Sequence, residues 1–135
     1  MRLPSLFSIC ASALLVTTLV SCGGDDDDDG VGPAPNECRT LATAANVPAT
    51  ATLVGIRDLK FSPDTIRIAA NTTVYWINCE ESSTVVHTVT AVDGTWTSPE
   101  IRRGQAYSRA FPAPVVPTPY YSVPHQTTRG AILSN

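Results

Sequence analysis

Two histidines are the side chains of this chain whose type and position most directly suggest chemistry. His87 and His125 are its only histidines among 135 residues. Neutral imidazole is the commonest protein ligand for metal ions, and it also carries protons in many enzymes. A single histidine is more often a packed or solvated side chain than a ligand. A shared function therefore requires a fold that brings the two rings to one place.

The four cysteines fall into two groups. Cys10 and Cys22 lie within and at the end of the apolar N-terminal segment. Cys38 and Cys79 form an even pair in the rest of the chain, which favours a disulfide in an oxidising compartment. Closing a loop of about 40 residues would contribute roughly 3–4 kcal/mol to stability. The alternative is that Cys79 is a metal ligand.

The N-terminal segment predicts export. Arg2 precedes apolar or small residues up to position 20, a stretch too short and too interrupted to span a membrane comfortably. Residues 1–21 therefore read as a signal peptide. Residues 19–22, Leu-Val-Ser-Cys, resemble the bacterial lipobox, which implies cleavage before Cys22 and lipidation of its sulfur. An ordinary signal peptide followed by a chance cysteine is the alternative.

A tether is expected between the lipid and the folded part. Residues 22–36 contain five consecutive aspartates (25–29), glycines and prolines, which cannot bury apolar area and favour disorder. The folded domain is expected at 37–135. A lipid anchor on Cys22 makes the membrane a partner and places the protein in the cell envelope, on the periplasmic face or the surface of the outer membrane.

The charge of the folded part excludes one class of partner. The whole chain has 9 basic and 12 acidic residues, but the tether holds five of the acids and the signal peptide holds Arg2. The remaining domain is close to neutral. Nucleic-acid binding, which requires a basic patch, is therefore not expected.

The rest of the chain predicts an all-β fold. Alternating or β-branched runs at 65–68, 73–78, 85–90, 106–111 and 130–133 are separated by turn residues, a pattern typical of a sandwich or barrel. Prolines 112, 114, 117 and 119 indicate an edge or a connection between sheets. No helix longer than one or two turns is expected.

Several of these segments together carry a resemblance to a known family. They are FSPDTIRI (61–68), TVYWIN (73–78), HTVT (87–90), Phe111, YYSVPH (120–125) and RGAI (129–132). In order and spacing they resemble the cupredoxins, the family of plastocyanin, amicyanin and pseudoazurin, over about residues 51–134. The resemblance implies a Greek-key β-sandwich with a copper site at one end, ligated by a histidine and by a Cys-x-x-His-x-x-Met loop.

The ligand positions carry over only in part. His87 and His125 occupy the two histidine positions, and Asn78 the position of an asparagine that orders the ligand loops. Ser122 stands where the resemblance implies the cysteine, and Thr128 where it implies the methionine. A blue copper centre depends on a copper–thiolate bond. Two imidazoles with oxygen donors instead suit Cu(II) or Zn(II) in another geometry.

Three functional classes follow. The first is a copper-binding envelope protein that uses His87 and His125 for copper handling or electron transfer, with an envelope protein or redox partner. The second is a metal-free module for protein–protein interaction. The third, a hydrolase with Ser122 as nucleophile, is not favoured, since the sequence shows no acid partner or oxyanion element. The protein is expected not to be an enzyme.

Overall fold

A computed structural model describes residues 34–135. The expected signal peptide, Cys10, Cys22 and most of the expected tether lie outside the described residues. Ala34 is buried, and a helix begins at Asn36. The folded part therefore includes residues just upstream of the expected boundary at 37.

Two four-stranded sheets pack face to face as a β-sandwich. Their strands are β1 (Thr52–Arg57), β2 (Lys60–Ser62), β3 (Thr65–Ile68), β4 (Thr72–Asn78), β5 (Thr90–Ala91), β6 (Ala106–Phe111), β7 (Thr118–Tyr121) and β8 (Arg129–Ser134). The first sheet has the order β2-β1-β4-β6 and the second β3-β8-β7-β5. Both sheets are mixed, because β1 runs parallel to β4 and β3 runs parallel to β8. The predicted class, an all-β Greek-key β-sandwich, is confirmed.

The main core lies between the two sheets. Along β4, Val74 and Trp76 are fully buried while Tyr75 is only partly buried, as the two-residue period of a strand requires. The Trp76 ring meets Tyr120 of β7 edge to face, with centroids 5.5 Å apart. Apolar residues from both sheets thus make one continuous cluster.

Helix α1 (Asn36–Ala44) forms a second, smaller core on the outer face of β1 and β4. The expectation of no helix beyond one or two turns is wrong here. Cys38, Leu41, Ala42 and Ala45 recur at the i, i+3, i+4, i+7 spacing of an amphipathic helix and pack onto the sheet. Within residues 34–135, no helix has the length and apolar character needed to cross a membrane.

The predicted disulfide is confirmed and joins this helix to the end of β4. Cys38 and Cys79 are bonded, with their Cα atoms 5.2 Å apart. Cys79 is therefore not available as a metal ligand. Gly55 on β1 makes room for the bridge, since a Cβ there would lie 2.5 Å from the Cys38 sulfur.

Two segments differ from a simple strand pattern. The predicted strand at 85–90 is wrong over most of its length: regular pairing begins only at Thr90, preceded by an isolated bridge between His87 and Ile101. The ladder is interrupted because the Val89 N–H donates to the Ser98 hydroxyl instead of to a backbone carbonyl. The prolines at 112, 114 and 117 lie in the connection between the sheets, as predicted, whereas Pro119 lies within β7.

Candidate functional site

The candidate site lies at the end of the sandwich where β4 finishes. Asn78, the last residue of β4, is fully buried, and its side-chain amide donates to the carbonyls of Val85 and Ile101 at 3.0 and 2.8 Å. The backbone of His87 exchanges two hydrogen bonds with Ile101. Asn78 therefore orders the segment that presents His87, as the resemblance implies.

Both ring nitrogens of His87 have partners inside the protein. The side chain is fully buried. Its Nδ1 lies 3.1 Å from the Ser122 Oγ, and its Nε2 lies 3.0 Å from the Glu80 Oε1. The ring is held between a hydroxyl and a carboxylate.

The loop at 122–128 places the two residues that replace the expected sulfur ligands. It is a compact turn in which Ser122 N–H donates to the Thr128 carbonyl at 3.0 Å and Thr128 N–H donates to the His125 carbonyl at 2.8 Å. The Thr128 hydroxyl donates to the Leu59 carbonyl at 2.5 Å. Each of the two buried hydroxyls therefore has a hydrogen-bond partner, as buried polar groups require.

The structure brings the two predicted histidines together. The ring centroids of His87 and His125 lie 4.8 Å apart, with the ring planes inclined at 49°. His125 is partly exposed, whereas His87 is fully buried. The pair of rings is therefore open to solvent on the His125 side.

Glu80 is the site residue that the sequence reasoning missed. Its carboxylate is almost fully buried and accepts the backbone N–H groups of Asp58 and Leu59, each at 2.9 Å, in addition to His87 Nε2. Glu80 and Glu81 are adjacent acids just after a strand, and Glu81 is exposed at 82% beside Arg57. The sequence alone does not show which of the two glutamates faces inward; this becomes clear only once the end of β4 is located.

The partners of His87 fix its protonation and tautomer. Burial, the largest effect, lowers the pKa of His87 from its usual 6.5; Glu80 opposes this shift and His125 adds to it. The neutral ring has one N–H. A carboxylate only accepts hydrogen bonds, so that N–H lies on Nε2, and Nδ1 accepts the Ser122 hydroxyl proton. Ser122 Oγ in turn accepts the Thr88 N–H at 3.2 Å.

These residues can be tested against the copper that the fold implies. They do not fit a blue copper centre, because no sulfur faces the rings and the only cysteines in the described part are bonded to each other. Among residues 34–135, no group of three or more His, Cys, Asp or Glu side chains is arranged to hold a metal ion. The donors that remain are two imidazoles: His87 Nδ1, whose lone pair lies on the side of Ser122, and the neighbouring His125 ring. Imidazole is a donor type that suits Cu(II) or Zn(II).

Comparison with solved structures finds amicyanins. A mutant of amicyanin in its oxidized form superimposes with a TM-score of 0.61 at 28% identity, over 68% of this chain and 89% of that one. The reduced Cu(I) form of another amicyanin mutant gives 0.61 and 29%, with the same coverage. Amicyanin from Paracoccus versutus (Thiobacillus versutus) gives 0.58 at 30% identity, over 68% of this chain and 88% of that one. The chain belongs to the cupredoxin family. Neither the protein-family models nor the curated proteins give a match.

The site of this cupredoxin departs from the family pattern in a specific way. Where the pattern has a thiolate, Ser122 donates a hydrogen bond to the first histidine. Where it has a thioether, Thr128 ties the loop to the β1–β2 turn. Both side chains are buried and hydrogen-bonded within the protein.

Proposed function

We propose that this cupredoxin binds copper(II) through His87 Nδ1 and His125, and that it handles copper at the cell envelope without holding a blue copper centre. The observation that supports this most is the pair of neighbouring rings, one of which is neutral with a lone pair on Nδ1. Two imidazoles are good ligands for Cu(II), and the missing thiolate removes the group that suits the family to electron transfer.

Each of the three side chains around the copper would have a separate role in binding it. His87 presents Nδ1 from a rigid, buried position, and His125 supplies the second nitrogen from the accessible side. The Ser122 hydroxyl must give up its hydrogen bond to His87 when a metal takes that lone pair, at a cost of about 1 kcal/mol. That cost and the small number of protein ligands predict modest affinity. Bound copper would supply Lewis acidity and a Cu(II)/Cu(I) couple, which oxygen and nitrogen ligands bias toward Cu(II).

The location of this function is part of the same proposal. A lipid on Cys22 would anchor the protein to a membrane, and the aspartate-rich segment would hold the domain away from its surface. The copper would then be exchanged with other envelope proteins, and a redox partner is not needed. Labelling with a radioactive fatty acid, lost in Cys22→Ser, tests the anchor separately from the metal site.

Titration of the purified protein with Cu(II) tests the metal site. One equivalent should bind in the wild type and be lost in His87→Ala and in His125→Ala. A variant with all five aspartates at 25–29 changed to asparagine is the matched control, because it removes an acidic run that also attracts copper and should retain the equivalent. Binding that follows the aspartates instead of the histidines would contradict the proposal.

A metal-free interaction module is the second candidate, and one observation favours it. The ring of His87 already has both nitrogens hydrogen-bonded, and Ser122 and Glu80 are satisfied as well. Such a site needs no ion to be complete. The absence of any histidine-dependent copper binding in the titration would leave this candidate as the function.

Catalysis does not enter the proposal, although the structure supplies the acid partner that the sequence did not reveal. Ser122, His87 and Glu80 lie in hydrogen-bonding sequence, at 3.1 and 3.0 Å. Ser122 has no exposed surface, however, and no substrate carbonyl can reach its hydroxyl in this structure. We therefore assign the three residues to the architecture of the site.

A further inference from the structure

We propose that Glu80 is a positioning residue of this site: its carboxylate keeps the proton of His87 on Nε2 and so leaves Nδ1 as the nitrogen that binds a metal ion. The part of this inference that concerns metal affinity rests on the copper binding proposed above. The part that concerns the tautomer stands without any metal.

The first step is that Glu80 can only accept, whereas Ser122 can do either. A carboxylate has no proton to give, so the ring nitrogen 3.0 Å from Glu80 Oε1 must be the donor. A serine hydroxyl donates or accepts by rotating, so Ser122 is compatible with either tautomer at Nδ1. The choice between the two tautomers therefore lies with Glu80.

The second step is that the carboxylate cannot turn away. Asp58 and Leu59 form the two-residue turn between β1 and β2, both with positive φ (51° and 59°), and both donate their N–H groups to Glu80. The backbone N–H of Glu80 donates to the Asn78 side chain, and its carbonyl accepts from Arg103 Nε at 2.7 Å. Glu80 is fixed at both its backbone and its carboxylate, and three N–H donors converge on two oxygens, as suits an anion.

The third step is the consequence for ligation. A metal-binding histidine commonly donates its other N–H to a carboxylate, which orients the ring and raises the basicity of the free nitrogen, and loss of such a partner typically weakens metal binding about 10- to 100-fold. Here the free nitrogen faces Ser122, and the His125 ring lies 4.8 Å from the His87 ring between centroids. Glu80 thus selects the nitrogen that the proposed site needs.

The test is a long-range proton–nitrogen NMR correlation of the imidazoles in metal-free protein, at a pH well above 6.5 so that the ring is neutral. Wild-type His87 should show a protonated Nε2 and an unprotonated Nδ1. Glu80→Ala should give a mixture of tautomers and raise the Kd for Cu(II) by about 10- to 100-fold. Glu81→Ala is the matched control. The Glu81 carboxylate is exposed and lies beside Arg57, away from His87, so its removal should leave both readouts unchanged.

A third variant keeps the test decisive if Glu80→Ala does not fold. Ser122→Ala removes the partner at Nδ1 while leaving Glu80 in place, so the wild-type tautomer should persist. A proton on Nδ1 in the wild type, a switch of tautomer in Ser122→Ala, or an unchanged single tautomer in folded Glu80→Ala would each overturn the inference. If the tautomer behaves as expected but no variant or wild-type protein binds Cu(II), the proposed function fails while the positioning role stands.

Discussion

Removal of the Glu80 side chain should destabilise this domain far more than its position after a strand suggests. In Glu80→Ala, the N–H groups of Asp58 and Leu59 and the Nε2–H of His87 lose the acceptor that now lies 2.9 to 3.0 Å away. A hydrogen bond to a charged group contributes about 1.5–3 kcal/mol. Three such bonds amount to roughly 5–9 kcal/mol. This loss is partly offset, because the variant no longer has to bury the charge of Glu80.

Avoiding the desolvation of that charge offsets several kcal/mol. In total, removal of one member of a buried ionic network typically costs about 3–5 kcal/mol. We therefore expect Glu80→Ala to lower the free energy of unfolding by about 3–5 kcal/mol. For a domain of this size the melting temperature should fall by at least roughly 12 °C.

Urea denaturation of metal-free protein measures the free energy directly, with Glu81→Ala as the control. Glu81 is exposed, so its removal should change the stability by less than about 0.5 kcal/mol. A cycle that combines Glu80→Ala with His87→Ala should show coupling of at least about 0.5 kcal/mol, because the two side chains are in contact. Equal destabilisation by Glu80→Ala and Glu81→Ala would refute the reasoning.

Three further predictions concern the sulfur positions, the disulfide and pH. Copper-loaded wild type should lack an intense thiolate-to-copper absorption band, and Ser122→Cys combined with Thr128→Met should produce one; a colourless, copper-loaded double variant would show that the loop is not arranged as in the family. Replacing Cys38 and Cys79 by serine should lower the free energy of unfolding by about 4 kcal/mol, because the disulfide closes a loop between residues 41 positions apart and restricts the unfolded chain. No loss of stability in urea denaturation would contradict this. The free energy of unfolding should also fall as pH drops below about 6.5, because the unfolded chain takes up a proton that buried His87, with its lowered pKa, does not. His87→Gln should show a flatter dependence of this free energy on pH in the same assay. Identical pH profiles for the two proteins would be inconsistent with the burial of a neutral ring.

The fold was predictable because its signals are local and repeated. The β4 run around Trp76 and the loop that ends in His125 were recognisable from residue types and spacing alone. Helix α1 was missed, although Cys38, Leu41 and Ala42 have helical spacing, because a nine-residue helix draws most of its stability from packing on a sheet. The disulfide from Cys38 to Cys79, which the cysteine count did predict, also holds this helix to the end of β4.

The site was only half predictable for a different reason. His87, Ser122 and His125 follow from alignment of positions, and the structure places them together. Glu80 does not, because two adjacent glutamates look alike in sequence, and only the turn of the chain after β4 directs one inward and the other to solvent. Similarly, the strand expected around Val89 is interrupted because the Val89 N–H donates to the Ser98 side-chain hydroxyl.

Pulsed electron paramagnetic resonance of the Cu(II)-loaded protein tests the central claim most directly, because it counts the imidazoles coupled to the copper. Two are expected in the wild type, fewer than two for any copper that remains bound to His87→Ala or His125→Ala, and a copper spectrum without thiolate character. Copper coupled to no imidazole in the wild type, or to the same number in the histidine variants, would contradict it.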